Sequence, residues 1–390
     1  MSRQDYQKWR LTCISPVFIG SGETWNPGQY IYDPQKETVF FLHEHQWIQF
    51  LYRQKVFPQF ARYIIECAKN QRPASLFFWI RDNLIRKKGF CSVEEALSSM
   101  EEAGIIRKEE KVEIGLTHNG KKASANEIHT FIRGGSGRCY IPGSTLKGAF
   151  RTAILFRALR RHPEKYQSRW QELLCASDKK GFERIGESLE TDLTVPAEHR
   201  GKISETVIHS CFRGLSVSDA ALTSEKMGIV QKWDWGDRAA SQGEEPKSLP
   251  IYRESLVPGS AAEFSISVDP AVMSLLEIES AEDVLSAVQE WADYQYELLR
   301  PAFGQSRGLL EPMKKADLIL GGGTGFFNKT VLYPMAPDRK EAVSAARRLM
   351  TEQFPRHHHE KDMALSPHTL KLTQWGGGHC LMGLCCLEVL

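Results

Sequence analysis

Two basic residues at the start of a predicted helix form the clearest anion-binding pattern in the sequence. Lys147 and Arg151 are four residues apart within residues 138–161 and therefore share one helix face. A turn precedes Ser144, so Ser144 is the expected N-cap of a helix that begins at about Thr145. A helix dipole stabilises one nearby charge by only about 0.3–1 kcal/mol, so a bound phosphate would also need the two cations. The pattern indicates phosphate binding rather than catalysis.

A glycine-rich segment, GGGTGFFNKT at residues 321–330, is the second pattern that could contact phosphate. A Walker A motif requires glycine directly before its lysine, whereas Asn328 precedes Lys329, so NTP hydrolysis is not predicted. Glycines allow backbone amides to approach a phosphodiester, and Lys329 could add a positive charge. The alternative is a tight turn without a ligand.

Acidic and histidine residues do not form an obvious catalytic set. Asp219 ends a predicted strand and is expected to be a structural partner of Arg151 or of Arg253, which precedes Glu254. An endoribonuclease needs a general base poised near neutral pH. Histidines that could serve are His118, His129 and His209, and no paired motif singles one of them out.

Histidines near the C-terminus raise the question of a metal. His357 to His359 are consecutive, and neighbouring side chains in a helix or strand cannot all point to one ion. His368, His379 and Cys380 lie nearby, but Cys380 and Cys385 lack the spacing of a structural zinc site. We therefore expect no metal and no other cofactor.

Composition describes an ordinary globular protein with a nearly neutral surface. The chain has 390 residues, 42% hydrophobic and 25% charged, with a net charge of +2, so a nucleic-acid surface would have to come from local clustering. No apolar run reaches the length of a membrane span, and no signal peptide is evident, so we expect a cytoplasmic protein without membrane contact. Nine scattered cysteines are expected to be reduced.

The elements that must position these residues alternate between strands and helices. Residues 8–19 read as a strand that ends at Gly20, and residues 29–33 and 37–42 as a short hairpin. Residues 45–126 are rich in charged residues and have a helical sequence pattern, which indicates an inserted lobe. In the helix that is predicted to begin at about Thr145, one apolar stripe should be buried. Its members are Leu146, Ala149, Phe150, Ala153 and Ile154.

The sequence of the second half of the chain predicts a further set of strands and helices. Residues 161–205 are polar and remain unassigned, and residues 231–248 read as a surface loop. Further predicted elements are a strand at 212–219, a hairpin of 251–256 with 261–268, helices at 280–299 and 338–350, and a closing hairpin in 369–390.

The order strand, hairpin, helix, strand, hairpin, helix predicts an α+β fold of ferredoxin-like, RRM-like architecture. We expect two such units. The first comprises residues 1–215 with the helical insertion at about 45–126, and the second comprises residues 216–390 with the glycine-rich loop.

Several segments also carry a resemblance to a known family. IPGSTLKGAFRTAI resembles the IPGS-[ST]-LKG-[AS]-hR signature, where h is apolar, of the RAMP superfamily, the RNA-binding subunits of CRISPR ribonucleoprotein effectors. ISPVFIGSGETW resembles the opening strand and turn of that family, and SVSD and YRESLVPGS resemble two later motifs. GGGTGFFNKTVLYP resembles the glycine-rich loop of the fifth subunit of type III-A Csm complexes.

The resemblance implies a noncatalytic subunit that caps the complex at the 3′ end of the CRISPR RNA and supports maturation of that RNA. Implied partners are the single-stranded CRISPR RNA, the neighbouring backbone RAMP subunit, the small helical subunit and host nucleases. Alternatives are a RAMP-type endoribonuclease that processes CRISPR RNA and another type III RAMP subunit. The predicted RNA-binding residues are Ser144, Lys147, Arg151, Gly321, Gly322, Gly323, Thr324, Gly325 and Lys329.

Overall fold

The strands of the chain form three sheets. A computed structural model describes residues 5–33, 36, 38–72, 74–85, 90–109, 112–113, 127–176, 178–200, 208–304 and 307–390. The strands within these ranges are β1 (Asp5–Cys13), β2 (Gly20–Trp25), β3 (Tyr30–Asp33), β4 (Thr38–Leu42), β5 (Ile106–Glu109), β6 (Val112–Glu113), β7 (Ile128–Phe131), β8 (Tyr140–Ile141), β9 (Leu215–Val217), β10 (Ala220–Ser224), β11 (Met227–Gly236), β12 (Lys247–Leu256), β13 (Ala261–Val268), β14 (Leu318–Ile319), β15 (Thr369–Trp375), β16 (Gly378–Leu381) and β17 (Leu384–Val389).

Helices connect and cover these sheets. In the described ranges they are α1 (Glu44–Arg53), α2 (Phe57–Lys69), α3 (Leu76–Ile80), α4 (Val93–Glu102), α5 (Gly143–Arg161), α6 (Gln167–Cys175), α7 (Lys179–Thr194), α8 (Asp237–Ser241), α9 (Pro270–Met273), α10 (Ala281–Phe303), α11 (Arg307–Leu310), α12 (Leu332–Met335) and α13 (Arg339–Gln353). Each of these helices is too short or too polar to cross a lipid bilayer.

The first sheet carries the main core and the signature helix α5. Its strand order is β14-β17-β1-β13-β10-β8, with β9 also paired to β13, and its pairings are antiparallel. The predicted stripe on α5 is confirmed, since Leu146, Phe150 and Ile154 are buried in this core. Arg157 joins α5 to α10 through the Glu290 carboxylate, with nitrogen–oxygen distances of 2.8 and 3.1 Å.

The second sheet has the order β16-β15-β11-β12-β7-β2, with β6 beside β11. Consecutive strands β12 and β13 belong to different sheets, so the predicted hairpin of residues 251–256 and 261–268 is wrong. The turn between them passes the chain from the second sheet to the first. Backbone hydrogen bonds from Cys13 to Ser260 and from Gly259 to Cys13, both 2.9 Å, hold this crossing against β1 rather than folding β13 back onto β12.

The small third sheet has the order β3-β4-β5, and helices α1 to α4 lie between β4 and β5 in the sequence. The predicted hairpin is confirmed, because β3 pairs with β4 in antiparallel register. The predicted insertion, residues 45–126, contains α1 to α4 and then β5 and β6, and part of it lies outside the described residues. Trp47, Phe60 and Trp79 are buried together there, and this packing explains the aromatic content of the segment.

Helix α5 begins earlier than the sequence predicts. Gly143 is its first residue, and the Gly143 N–H donates to Asp219 Oδ1 at 2.7 Å. The prediction that Ser144 caps a helix from Thr145 is therefore wrong. Asp219, which lies between β9 and β10, instead supplies the acceptor for the first helical N–H. The Ser144 side chain is exposed.

Two further predictions about strands are wrong. The first strand ends at Cys13, and Gly20 opens β2 instead of terminating β1. Pro16, which has no N–H to donate to a ladder, lies in the break. Residues 231–248 are largely structured, because β11 extends through residue 236 and is followed by α8 and the start of β12. Trp233 and Trp235 alternate with polar residues in β11, and this pattern is typical of a half-buried strand.

A buried carboxylate joins the second and third sheets. Glu254 on β12 is 0% exposed and accepts hydrogen bonds from Arg133 at 2.5 and 2.8 Å and from the Phe131 N–H at 3.1 Å. Arg107 of β5 lies 3.4 Å from the same carboxylate. Burial alone would raise the pKa of Glu254, but Arg133, the Phe131 amide and Arg107 outweigh it and lower this pKa. The carboxylate is therefore structural.

We expect Glu254→Gln to lower the free energy of unfolding by about 3 kcal/mol at neutral pH, because it leaves Arg133 without its charged partner. The contribution of Glu254 exists above its unfolded-state pKa of about 4.3 and is lost as pH falls through its lower folded-state pKa. Urea denaturation at several pH values checks this. The gap between wild type and variant should be constant above about pH 5 and shrink below it. A gap that widens in acid would contradict the prediction.

The cap on α5 gives a second stability prediction. Asp219→Ala should lower the free energy of unfolding by about 1 kcal/mol, because the Gly143 N–H loses its acceptor. Ser144→Ala, the matched control in the same turn, should change it by less than about 0.5 kcal/mol because the side chain is exposed. Urea midpoints of the two variants measure the difference, and equal losses would show that the cap is misassigned.

Candidate RNA interface

The two cations predicted on α5 share a face, but they differ in their surroundings. Arg151 forms an ion pair with Glu190 of α7, and its guanidinium lies 5.4 Å above the Phe212 ring. Burial lowers the pKa of Arg151, and burial together with the Arg151 charge lowers that of Lys147. Arg151 thus contributes to packing as well as to charge.

The N-terminus of α5 already holds an anionic group. The Asp219 carboxylate accepts from the Gly143 N–H and so interacts with the positive end of the helix dipole. A phosphate there would meet this negative charge, so its attraction would depend on Lys147 more than on the dipole. RNA contact by Ser144, Lys147 and Arg151 stays a prediction.

The glycine-rich loop follows β14 and packs against the connection between β1 and β2. The Gly322 N–H donates to the Phe18 carbonyl oxygen at 2.7 Å. Gly321 has φ +89°, and a Cβ atom on it would lie 2.3 Å from that same oxygen. Gly323 has φ +83°, and a Cβ there would lie 2.7 Å from Met382 Sδ. Both positions therefore require glycine.

The rest of the loop is held by its own hydrogen bonds. Thr324 Oγ1 donates to the Gly321 carbonyl oxygen at 3.1 Å, and Asn328 Nδ2 donates to the Thr324 carbonyl oxygen at 2.7 Å. A short 3-10 turn at Phe327–Lys329 closes the segment. The loop has a defined backbone conformation, and RNA contact by its glycines, Thr324 and Lys329 stays a prediction.

Four cations of the second sheet and the loop form a cluster, which we name the basic cluster: Lys232, Arg253, Lys329 and Lys371. Gly323 and Gly325 lie over it, since Cβ atoms built on them would be 3.4 Å from Arg253 Nη1 and 3.7 Å from Lys371 Cγ. Asp234 is the carboxylate that contacts the cluster. It lies 2.9 Å from Lys371 Nζ and 3.5 Å from Lys232 Nζ.

The cations of the basic cluster are incompletely neutralised. Burial and the Lys371 charge lower the pKa of Lys232, and burial and the Arg253 charge lower that of Lys329. The Arg253 guanidinium lies 5.6 Å over the Phe18 ring, and its buried Nη1 has no hydrogen-bond partner among the described residues. Guanidinium and ammonium groups can donate to the oxygens of a phosphodiester, so the cluster is a candidate RNA contact.

The two predicted phosphate sites lie at opposite edges of the first sheet. Helix α5 follows β8 at one edge, and the glycine-rich loop follows β14 at the other. The helix that follows the loop, α12, nevertheless packs against α5, so the two segments are connected through α12.

Sequence reasoning missed three members of the cluster, Lys232, Arg253 and Lys371. They come from β11, β12 and β15, which are adjacent in the second sheet, although β15 is distant from the other two in the sequence. Arg253 belongs to the YRESLVPGS motif, which is the one sequence signal that could have pointed to it. The other two lysines alternate with aromatic or aliphatic residues in ordinary strand patterns.

The histidines considered for RNA cleavage have packing contacts. His129 on β7 lies edge-on to Phe18, with ring centres 6.5 Å apart, and His209 stacks on His199 at 3.7 Å. Among the described residues, neither imidazole is hydrogen-bonded to a carboxylate, whereas His358, His359 and His368 are. His118 lies outside the described residues.

Comparison with known proteins connects this geometry to a protein family. The chain is 26% identical over 270 residues to the CRISPR system protein Csm5 of Streptococcus thermophilus, an alignment that covers 68% of this chain and 65% of that protein. It is 24% identical over 398 residues to Csm5 of Mycobacterium tuberculosis, which covers 97% of this chain and 96% of the relative.

Solved structures share the fold. The crystal structure of T. onnurineus Csm5 matches with a TM-score of 0.56 at 20% identity, covering 97% of this chain and 99% of that one. A chain of the Csm–crRNA–target RNA ternary complex of a type III-A CRISPR–Cas system matches with a TM-score of 0.57 at 18% identity, covering 98% and 100%. The RAMP superfamily model matches residues 10–328. Since this model spans most of the chain, the protein belongs to the RAMP superfamily.

Proposed function

We propose that this protein is a noncatalytic RNA-binding subunit of a cytoplasmic type III-A CRISPR Csm ribonucleoprotein. In this proposal it caps the complex at the 3′ end of the CRISPR RNA and supports maturation of that RNA. Similarity to Csm5 proteins along almost the whole chain supports the assignment. The observation that carries the RNA-binding role is the glycine-rich loop lying directly over the basic cluster.

The side chains of the basic cluster are suited to binding RNA. Guanidinium and ammonium groups donate to phosphate oxygens, and the glycine-rich loop lies directly over them. Asp234 is paired with Lys371 and Lys232, so it is poorly placed to accept a proton from a ribose hydroxyl. These features favour binding without cleavage, while base pairing of the guide would read the target.

The proposed partners follow from the same assignment. They are the single-stranded CRISPR RNA, the neighbouring backbone RAMP subunit and the small helical subunit, with host nucleases acting on the free 3′ end. A subunit with a net charge of +2 gains little from long-range attraction to RNA, which suits one that binds its guide beside other subunits.

We also propose that the first sheet with its two helices is a ferredoxin-like unit. Its elements follow the order β1, α5, β10, β13, α10 and β17, and the four strands lie in the order β17-β1-β13-β10. A second such unit remains a proposal, and a boundary near residue 215 would divide the first unit. The pairings of β1 with β13 and β17 join residues from both sides of that position.

Replacing two lysines of the basic cluster tests the RNA contact. For single strands, each phosphate contact adds a slope of about −0.7 to log K against log salt. We expect Lys329→Gln with Lys371→Gln to weaken binding of a labelled CRISPR RNA and to reduce the magnitude of the slope by about 1.4. Binding is measured across salt concentrations with the full chain, and in the reconstituted complex where the chain alone is too weak.

Lys179→Gln with Lys314→Gln is the matched control. These lysines are exposed and paired with Glu183 and Glu311 on other surfaces, so the variant removes the same charge away from the cluster. Its slope should equal that of wild type. Equal slopes for both double variants would show that the basic cluster does not contact RNA. Specific products on a denaturing gel of the same samples would favour the endoribonuclease alternative.

Capping gives a separate prediction. In a reconstituted Csm complex, this subunit should protect the 3′ segment of the CRISPR RNA from a 3′→5′ exonuclease, and a complex assembled without it should lose that protection. The 5′ segment serves as the internal control, since its sensitivity to a 5′→3′ exonuclease should not change. Protection that moves to the 5′ segment would contradict a role at the 3′ end.

A further inference from the structure

A cluster of ionisable side chains lies outside the proposed RNA interface, in the segment that leads into β15. Asp362 is 3% exposed, and both of its carboxylate oxygens face imidazoles. His359 Nδ1 is 2.9 Å from Asp362 Oδ2, and His368 Nδ1 is 2.5 Å from Oδ1. Ser366 Oγ donates to Oδ2 at 2.7 Å. One carboxylate thus holds two histidine rings in place.

Two imidazoles and a carboxylate are a common ligand set for a divalent transition metal that keeps an open position for water. The candidate ligand atoms of His359, Asp362 and His368 all lie within 4.8 Å of one another. Donors around tetrahedral zinc lie about 3.3 Å apart, given bonds of about 2.0–2.1 Å. Small side-chain rotations would therefore close the set around an ion that replaces the protons between the rings and the carboxylate.

We propose that His359, Asp362 and His368 bind a divalent transition-metal ion of the zinc class.

The surrounding backbone is already fixed in the arrangement that such a site needs. The Ser366 N–H donates to the Tyr333 hydroxyl at 2.9 Å, and that hydroxyl donates to the Ser366 carbonyl oxygen at 3.0 Å. The Asp237 N–H donates to the His368 carbonyl oxygen at 3.0 Å. Ser366 also orients the Asp362 carboxylate, as outer partners of metal ligands commonly do. The ligands would need little ordering to bind an ion.

An open cavity of about 460 Å³ gives an ion access to the cluster. Asp362 and His368 line it, and five carboxylates and three cationic side chains stand on its walls, so its net charge favours a cation. Water in the cavity could complete the coordination. One of the carboxylates is Asp234, which also contacts the basic cluster.

The consecutive histidines contribute only one ligand. His357 packs against Phe354, with ring centres 5.7 Å apart, and His358 Nδ1 lies 3.2 Å from Glu360. Sequence reasoning argued against a metal because three consecutive histidines diverge. In the proposed set, only His359 of the three joins Asp362 and His368, so the three rings do not need to converge.

Metal titration of the full-length protein tests the proposal. The chain is reduced, stripped of metal and titrated with Zn²⁺ in competition with a chromophoric chelator. We expect one site in wild type and a loss of affinity of at least about tenfold in His368→Asn. Asparagine keeps a side-chain N–H for Asp362 but is a poor metal ligand, so this variant should stay folded. Zinc should raise the thermal midpoint of wild type and not that of the variant.

His358→Asn is the matched control and should bind zinc as wild type does, because the side chain is exposed and outside the set. The nine cysteines could bind zinc themselves. Cobalt therefore replaces zinc in a second titration, where the proposed ligands give visible bands without thiolate-to-cobalt charge transfer. Equal zinc affinity in wild type and His368→Asn, no zinc binding by wild type, or a thiolate signal would overturn the proposal.

Discussion

The buried carboxylate of Glu254 sets the register of β12, and the proposed RNA interface depends on that register. Consecutive strand residues point to opposite faces, so the inward direction of Glu254 sends Arg253 the other way, over Phe18 and toward the glycine-rich loop. A shift of one residue would exchange the two side chains. It would remove Glu254 from Arg133 and the Phe131 amide and leave a buried charge unpaired, which is costly. The structural ion pair therefore also orients Arg253 toward the proposed RNA interface.

Phe18 is the point at which the two large sheets meet around the interface. Its carbonyl oxygen accepts the Gly322 N–H, which fixes the loop after β14, and its ring lies under the Arg253 guanidinium. The loop is thus placed by the first sheet and the cations mainly by the second. Burial, and after it the neighbouring positive charges, lower the pKa values of Lys232 and Lys329. A bound phosphate would offset the repulsion among these cations, which supports the proposed RNA contact.

Elements with local signals were predictable, and those that depend on distant contacts were not. Ser280 and Asp283 form the capping box that the sequence indicates, and Asp338 caps α13 as expected. The cap on α5 was missed because its acceptor, Asp219, lies 76 residues away. The alternation of β12 and β13 correctly indicated strands, but a strand pattern does not say which sheet each joins. The basic cluster was missed for the same reason, since three adjacent strands of the second sheet supply most of it.

A nearly neutral chain with a local cluster constrains how RNA can be recognised. At physiological ionic strength the Debye length is about 8 Å, so the field of four cations fades within a few nucleotides of the glycine-rich loop. Attraction from a distance is then weak, and the guide has to be delivered to the loop by contacts along the rest of its length. In the proposed complex, neighbouring subunits that hold the guide would raise its local concentration at the cluster, as a linker raises the effective concentration of a tethered ligand. The position of the RNA end on this subunit would therefore be decided by the assembly, and the strength of the final contact by the basic cluster.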